Sequence, residues 1–368
     1  MKMKPRCNVC GVTLNEENTF EFNGDILCEH CLEERSVICD CCGTRISRER
    51  ADGDEYTTLC NNCYIHRYTT CENCGILIRN DNVYYLDDED DYQYCYECYQ
   101  KIVNRAIKNY SYKPKTIFYG DGNLYYGIEL EIDKGGEDDE NAQQLLDIGN
   151  LSGEKIYCKH DGSINNGFEI VSHAATIDYH INKIPWNEIM SKAIEMGYRS
   201  HNTSTCGLHI HVNRDAFGDT YEQQEDVIGR IVHFVELHWN EILKFTRRTE
   251  ENINRWAARY GISTKAKDTY KNAKDKHMGR YVAVNLENCN TIEFRLFRGT
   301  LLYSTFVATL QLVDEICKMA ICLNDREIEN MSWSDFVLCI PNTKKELIDY
   351  LKTKRLYVNE PNTEQEEL

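Results

Sequence analysis

The chain contains 368 residues, 42% of them hydrophobic, which excludes a disordered protein and allows one sizeable core with a smaller module. Its formal net charge of −18 excludes the broad basic surface of a general nucleic-acid-binding protein. The sequence has no run of about 18 apolar residues for a membrane span, and the segment MKMKPRCNVC lacks the apolar run of a secretory signal. We therefore expect a cytoplasmic protein whose 19 cysteines bind metal instead of forming disulfides.

The first hundred residues contain an internal repeat of cysteine pairs. In each repeat a CxxC pair is followed, after 17 or 20 residues, by a second pair, and the first cysteines of successive repeats lie 32 residues apart. Four thiolates at this spacing predict tetrahedral zinc, so we expect three structural Zn²⁺ in a domain over 1–104, with repeats at about 7–31, 39–63 and 71–98. The predicted zinc ligands are Cys7, Cys10, Cys28 and Cys31; Cys39, Cys42, Cys60 and Cys63; and Cys71, Cys74, Cys95 and Cys98.

The segments between the cysteine pairs predict small hairpins, such as TFEFNGDIL with its Asn23-Gly24 turn, and a short helix is expected after each second pair. This pattern resembles LIM and other treble-clef fingers, and the resemblance implies docking to a protein or peptide. Cys41 could compete with Cys39 or Cys42, and His66 could replace a thiolate. The acidic tract LDDEDDY over 86–92 disfavours a phosphate backbone as the partner.

Longer elements are predicted from about residue 114, in a catalytic domain over 114–355 that precedes a flexible acidic tail over 356–368. Alternating or apolar segments predict strands over 125–133, 156–163, 167–173 and within 206–217, and two strands within 280–301 joined by a turn at 287–290. Helices are predicted over 137–150, 178–197, about 220–247 and most of 302–355. The expected fold class is α+β, an antiparallel or mixed sheet with helices on one face.

The polar face of these strands is unusual in its composition. A single alternating strand is most often just a solvated face, but such faces usually carry Thr, Lys, Ser and Gln, whereas this one carries carboxylates, imidazoles and a guanidinium. Carboxylates gathered on one surface repel each other unless cations neutralise them, and mainly oxygen ligands favour Mg²⁺ or Mn²⁺ over zinc. The residues of this face are Glu129, Glu131, Glu169, His209, His211, Glu293 and Arg295.

Six motifs occur in order along this domain. They are G-x-E-x-E (127–131), D-G-S (161–163), E-I-V-S (169–172), C-G-L-H-x-H (206–211), Y-x-x-x-N-L (281–286) and T-I-E-F-R-x-F-x-G-T (291–300). Together they resemble the amidoligase family, whose catalytic domain has the carboxylate–amine ligase fold of glutamine synthetase and glutamate–cysteine ligase. The resemblance covers about 115–320 and leaves the cysteine repeats outside it.

The resemblance implies ATP-dependent joining of a carboxylate to an amine through an acyl phosphate. It implies that Asp161 binds metal or deprotonates the amine, and that Arg295 and Arg280 hold phosphate or a substrate carboxylate. The implied ligands of Mg²⁺ or Mn²⁺ are Glu129, Glu131, Glu169, His209 and Glu293.

Five other residues have more than one interpretation. His211 could contact substrate instead of metal, and Asn285 could contact the nucleotide or satisfy backbone groups. Arg247, with Arg248, could bind ATP or only balance the dipole of the preceding helix. Cys206 invites a Cys–His nucleophile hypothesis, which we do not favour because a free cysteine is more often an inert buried residue.

The leading hypothesis is a ligase whose fingers recruit a protein or peptide substrate, with a small amine or amino acid as a further possible substrate. The alternatives are a metal-dependent hydrolase using the same cleft and a non-catalytic zinc-finger adaptor; the fingers could also mediate self-association. Similar family members occur in phages and mobile elements, so we expect the cytosol of a bacterium or of a phage-infected host. Neither substrate can be identified from the sequence.

Overall fold

The structure is a computed structural model and describes residues 4–15, 17–86, 91–203, 205–275 and 279–358. The chain forms two compact units, Met1–Arg105 and Ala106–Leu368. Two sequence predictions lie partly outside the described residues, namely the acidic tract at its residues 87–90 and the acidic tail at 359–368. None of the helices in the described ranges is both long and apolar enough to cross a membrane.

The first unit contains three small modules, each built around two CxxC pairs. In each module the helix starts directly after the first cysteine of the second pair, and in two of them the sulfur of that cysteine accepts the N–H of the second one. The strands are β1 (Phe20–Phe22), β2 (Asp25–Leu27), β3 (Ser36–Ile38), β4 (Arg45–Ser47), β5 (Ala51–Gly53), β6 (Thr58–Cys60), β7 (Tyr68–Thr70) and β8 (Leu77–Arg79), and the helices are α1 (Glu29–Arg35), α2 (Asn61–Arg67) and α3 (Tyr96–Val103).

The hairpin predicted from TFEFNGDIL is confirmed. Strands β1 and β2 pair antiparallel, and the two turn residues, Asn23 and Gly24, have φ values of 52° and 87°. Positive φ at both positions defines the tight turn whose twist matches that of the strands, and Asn-Gly is the dipeptide that adopts it most readily.

The second unit is a mixed sheet with eleven helices among its described residues, which confirms the α+β class. Its strands are β9 (Ile107–Lys108), β10 (Phe118–Tyr119), β11 (Tyr126–Ile132), β12 (Ile156–Lys159), β13 (Phe168–Ser172), β14 (Ala174–Ala175), β15 (Gly207–Asn213), β16 (Val284–Asn285) and β17 (Thr291–Arg298). Its helices are α4 (Asp139–Gly149), α5 (Ile177–Asn182), α6 (Trp186–Glu195), α7 (Tyr221–Leu237), α8 (Trp239–Thr246), α9 (Glu250–Trp256), α10 (Ala266–Asp275), α11 (Tyr303–Cys322), α12 (Asp325–Glu329), α13 (Trp333–Cys339) and α14 (Lys345–Thr353).

Two of the helices expected from the sequence are each divided in the structure. The helix predicted over 178–197 is interrupted before α6 at Pro185, which has no N–H to donate. The helix predicted over 220–247 begins with a capping box between Thr220 and Gln223 and is interrupted at His238, whose φ of −102° and ψ of 34° are not helical. Helices α9 and α10 were not predicted.

The strand order in the sheet is β16-β17-β15-β11-β13-β12-β9, and every neighbouring pair except β12 and β9 is antiparallel. Alternate side chains of β11 and β15, such as Ile128, Leu130 and Ile210, are fully buried in the main core with Trp186 of α6 and Phe306 of α11. Because successive side chains point to opposite faces of a strand, the remaining residues of these strands face the other side.

A buried histidine links α5 to this sheet. The ring of His180 donates from Nε2 to the carbonyl oxygen of Tyr126 over 2.9 Å and accepts the indole N–H of Trp186 at Nδ1 over 3.3 Å. This bonding requires the neutral ring, and burial lowers the pKa of His180 to about 4. A proton on Nδ1 would oppose the indole N–H, so we expect acid to weaken this contact.

We predict that His180 makes the second unit acid-sensitive. Its folded pKa lies below the value of about 6.5 in the unfolded chain, so its contribution is intact above pH 6.5 and is lost as the pH falls towards 4. The stability difference between wild type and His180→Gln should shrink by about 3 kcal/mol between pH 7 and pH 4. Urea unfolding followed by tryptophan fluorescence measures it, since all four tryptophans lie in the second unit. Parallel pH profiles for the two proteins would contradict the prediction.

Candidate functional site

The twelve cysteines predicted as zinc ligands form three compact clusters. In each cluster one sulfur atom from each of the four cysteines lies within 4.8 Å of the others. A zinc–sulfur bond of about 2.3 Å requires tetrahedral sulfurs about 3.8 Å apart. The measured Sγ–Sγ distances are 3.7 Å for Cys10–Cys28, 3.8 Å for Cys42–Cys60 and 3.9 Å for Cys74–Cys95. The clusters therefore fit three structural zinc sites.

The second cluster is formed by Cys39, Cys42, Cys60 and Cys63. Cys41 is not part of it, and its sulfur instead accepts a hydrogen bond from the Nη1 atom of Arg67 over 3.8 Å. Four thiolates complete a tetrahedron without His66 and leave no open position for a reacting molecule. This geometry fits a structural role and not a catalytic one.

A cavity of about 710 Å³ lies over the polar face of the sheet in the second unit. Six carboxylates, five cationic side chains and three histidines contribute to its wall, together with aromatic and small polar residues. The carboxylates are Glu129, Glu131, Asp161, Glu169, Glu287 and Glu293; the cations are Lys113, Lys159, Arg248, Arg280 and Arg295; and the histidines are His160, His209 and His211.

Strand register brings the charged side chains of this cavity together. Glu129 on β11 lies opposite His209 on β15, while His211 on β15 lies opposite Glu293 on β17. Each pairing sets a carboxylate against an imidazole, which is favourable for neighbouring side chains on one face.

Glu129, His211 and Glu293 form the most compact group of possible metal ligands on this face. One ligand atom of each lies within 4.8 Å of the others, and His211 Nε2 is 3.1 Å from Glu129 Oε1 and 3.9 Å from Glu293 Oε1. That Nε2 atom is buried and faces both carboxylates, while Nδ1 lies 3.2 Å from the hydroxyl of Thr291. An imidazole that is held at one nitrogen and turns the other towards two carboxylates fits Mg²⁺ or Mn²⁺.

His209 occupies a different position from His211. It hydrogen-bonds through Nδ1 to Glu129 over 3.2 Å, and its Nε2 atom lies 3.7 Å from Glu131. The sequence favoured His209 as the ligand and left His211 to the substrate, whereas the geometry gives His211 the position among the possible ligands. Glu131 also accepts the backbone N–H of Gly207 over 2.6 Å, so it is held at the edge of this group.

Burial and neighbouring charges shift the titration of these groups. Burial raises the pKa of Glu129, but the adjacent His211 and His209 rings outweigh it and hold that pKa well below its ordinary value. Burial lowers the pKa of His211, and Glu129 reverses the direction, so that the net pKa is raised. Burial, which outweighs the attraction of His209, raises the pKa of Glu131. Glu129 and His211 therefore stabilise each other's charged form, whereas burial disfavours the charged form of Glu131.

Glu169 has a partner that the sequence analysis missed. The ammonium group of Lys159 on β12 lies 3.1 Å from its carboxylate and 5.4 Å from the ring of Tyr110. Burial, followed by the charge of Glu129, raises the pKa of Glu169 to about 9. Lys159 could have been recognised because it continues the polar alternation of IYCK beside buried Ile156 and Cys158.

Glu293 is held by three side chains. Asn285 donates from Nδ2 to its Oε2 atom over 2.8 Å, and Asn288 reaches the same oxygen at 3.5 Å. Arg295 donates to its Oε1 atom. The Oδ1 atom of Asn285 accepts a hydrogen bond from the N–H of Glu287 over 3.0 Å. Asn285 therefore has an orienting role that does not require a nucleotide.

A cationic and aromatic wall faces the carboxylates. The guanidinium groups of Arg280 and Arg295 lie 5.1 Å and 5.9 Å from the ring of Tyr281, which packs edge-on against Trp256 at 5.7 Å. Arg280 also donates to the hydroxyls of Tyr110 and Tyr281. No sequence periodicity marked Trp256, and Tyr281 was noticed only as part of a motif. Asp161 lies in the same cavity, where its carboxylate accepts the N–H of Ser163 over 2.6 Å.

Arg248, and not Arg247, contributes to this cavity. Arg247 ends α8 in a left-handed conformation with φ of 66°, donates to the carbonyl of Arg298 and to the hydroxyl of Tyr350, and lines a separate cavity. Arg247, a predicted ATP-binding residue, therefore lies apart from the other residues predicted to bind ATP, because the turn at this helix end directs the two side chains to different cavities. Burial lowers the pKa of Arg248 to about 10.

We predict three zinc ions per chain, and the neighbouring residues Cys41 and Cys42 provide a matched test. Cys42→Ser removes a thiolate of the second cluster and should lower the zinc content from three to two per chain, because the remaining ligands bind more weakly. Cys41→Ser should leave the zinc content at three. Metal analysis after dialysis measures both, and equal zinc loss from the two variants would contradict the assignment.

We predict that His211 binds a divalent ion more directly than His209 does. His211→Asn should weaken Mn²⁺ binding by about tenfold or more, as expected for loss of a ligand, and His209→Asn should weaken it less. Electron paramagnetic resonance titration of free Mn²⁺ distinguishes them, with His233→Asn as a control because His233 is buried against Thr269 outside this cavity. The reverse order of effects would restore His209 as the ligand.

Comparison with known proteins adds one match. The model of a family described as "Putative amidoligase enzyme" matches residues 148–317. This range contains every motif noted above except the one at 127–131. No curated protein matches the chain. The similarity supports a ligase-type enzyme.

Proposed function

We propose that the second unit is an ATP-dependent carboxylate–amine ligase that forms an amide through an acyl phosphate. The observation that carries the proposal is that the Glu129–His211–Glu293 group and the cationic wall share one cavity. ATP needs both, because its bridging metal is bound by carboxylates and its phosphates by guanidinium groups. A metal-dependent hydrolase would need the carboxylates but not the additional cations, so the cationic wall favours the ligase.

The residues divide the chemistry among them. Bound Mg²⁺ or Mn²⁺ would supply charge neutralisation of the phosphates at Glu129, His211 and Glu293, with Glu131 and Glu169 at the edge of the group. Arg295 and Arg280 hold the phosphoryl group and the substrate carboxylate in line, which suits their planar forks. Trp256 and Tyr281 line the cavity and provide aromatic rings that suit contact with a nucleobase.

The reaction proceeds in two displacement steps, each of which forms one bond and breaks another. A carboxylate oxygen of the substrate attacks the γ-phosphorus of ATP and releases ADP, and the amine nitrogen then attacks the acyl carbon and releases phosphate. The attacking amine loses a proton, and Asp161, at the cavity wall, is the acceptor that we assign. Burial of the cavity floor strengthens every one of these electrostatic contacts.

The zinc-binding unit recruits a protein or peptide in this proposal. Its surface exposes large apolar side chains, among them Tyr56 at 77% and Ile65 at 60%. Exposed aromatic and aliphatic side chains of this size are available for contact with a partner.

The proposal predicts ATP consumption that depends on both an amine and a carboxylate. Incubation with ATP, Mg²⁺ and panels of amino acids, peptides and amines should release ADP and phosphate and yield a product whose mass equals carboxylate plus amine minus water. Glu129→Gln should reduce the rate by about a hundredfold or more, because it removes a charged group from the metal site. The matched Glu195→Gln, on the exposed surface of α6, should leave the rate unchanged.

Adjacent arginines test the assignment of the nucleotide site within the same assay. Arg248→Met should raise the KM for ATP by about tenfold or more, whereas Arg247→Met should not, since Arg247 lines a different cavity. Product formed without ATP would refute the ligase proposal, and release of AMP with pyrophosphate would refute the acyl-phosphate route.

A further inference from the structure

A second large cavity lies within the same unit as the catalytic cavity. It has a volume of about 810 Å³ and is lined by residues of α6, the segment after it, the end of α8, the segment 300–305 and α14. None of its lining residues is shared with the catalytic cavity. Its size falls in the range of sites that hold a ligand larger than one amino acid.

The surface of this second cavity is partly apolar and open to solvent. Leu302 is 63% exposed and Ile194 is 45% exposed, and both line the cavity beside buried Leu301 and the ring of Tyr350. Apolar side chains that face water around a concavity gain from being covered by an apolar group of a partner.

Three cations line the same cavity as these apolar side chains. Arg199, Arg247 and Lys354 line the cavity, and Arg247 and Lys354 lie 5.9 Å and 5.4 Å from the ring of Tyr350. Burial lowers the pKa of His201 in the same wall, and the nearby charges of Arg298, Arg247 and Lys354 lower it further. This concentration of positive charge stands out in a chain whose net charge is −18.

Two carboxylates also line the cavity but do not neutralise its positive charge. Glu346 already accepts a hydrogen bond from the amide of Gln311 over 2.9 Å, and Asp349 is exposed on α14. The three permanent cations, Arg199, Arg247 and Lys354, still outnumber them. A partner with negative charge beside an apolar side chain complements this arrangement, and a basic partner does not.

We propose that this cavity is a docking site for an acidic peptide segment that carries an apolar side chain. The apolar side chain covers Leu302 and Ile194, and flanking carboxylates pair with Arg199, Arg247 and Lys354. Docking here is separate from the catalytic cavity, so it requires neither ATP nor ligase activity, and its test is independent of the proposed function.

Fluorescence anisotropy with labelled synthetic peptides tests the proposal on the full chain. The probe is fluorescein-Gly-Ser-Glu-Leu-Glu-Glu-Phe-Glu-Ser-Gly, and the comparison peptides replace Leu and Phe with Ser, or every Glu with Lys. We expect saturable binding of the probe but not of the comparison peptides, and binding of the probe should persist at a saturating concentration of MgATP. Equal binding of the Ser peptide would overturn the proposal, since charge alone would then explain the affinity.

Matched variants locate the binding. Leu302→Asp should weaken binding of the probe by about tenfold or more. Leu338→Asp, at a similar exposure of 65% on α13, should leave the affinity unchanged. Lys354→Glu should weaken it, and Lys271→Glu on α10 should not. Unchanged affinity in Leu302→Asp and Lys354→Glu refutes the site.

A chain ending at Val358 controls for the acidic residues 359–368, which include four glutamates. We expect it to bind the probe as the full chain does. Binding by the shortened chain alone would mean that the chain's own acidic segment, and not a partner, is the occupant, and would overturn the proposal.

Discussion

The antiparallel register of β11, β13, β15 and β17 is the constraint on which the rest of the catalytic unit depends. Because side chains alternate between faces, fixing Ile128 and Ile210 in the core also fixes Glu129 and the two histidines on the opposite face. A slip by one residue would place carboxylates in the core and leucines in the cavity. The apolar face, which fills the main core, thus holds the charged face in place.

That register also places two carboxylates side by side, where their negative charges repel each other. Glu131 lies directly opposite Glu169, and both are buried. Groups of the sheet itself compensate the two carboxylates. Lys159 on the next strand lies beside Glu169, and Gly207 donates its N–H to Glu131. Glu129 and Glu293 lie beside imidazoles and Arg295, and together with His211 they place possible ligand atoms closest to one another, which suits a bound cation.

Much of this arrangement could be predicted from the sequence, because period and spacing are local properties. The cysteine pairs, the Asn23-Gly24 turn and the faces of the strands follow from them. What could not be predicted depends on contacts between distant segments. His209 and His211 share one face, and only the neighbours Glu131 and Thr291 distinguish their positions. Arg247 and Arg248 are adjacent, and the left-handed conformation of Arg247 accompanies the divergence of their side chains into different cavities.

The end of β17 shows how an irregularity in strand pairing contributes to the same site. The pairing of β15 with β17 shifts between Leu208 and Ile210, so that β17 carries one extra residue there. Strict alternation would put Phe297 on the face of Glu293 and Arg295, in the polar cavity. The extra residue turns Phe297 into the core, where its ring packs against Phe245 of α8 at 6.1 Å.

The same bulge anchors the arginines that follow α8. The carbonyl of Phe297 accepts a hydrogen bond from Arg248, and the carbonyl of Arg298 accepts one from Arg247. Two adjacent carbonyls at the end of one strand therefore hold two adjacent guanidinium groups that serve different cavities. A shift of this strand end would therefore disturb the hydrogen bonds of both guanidinium groups together.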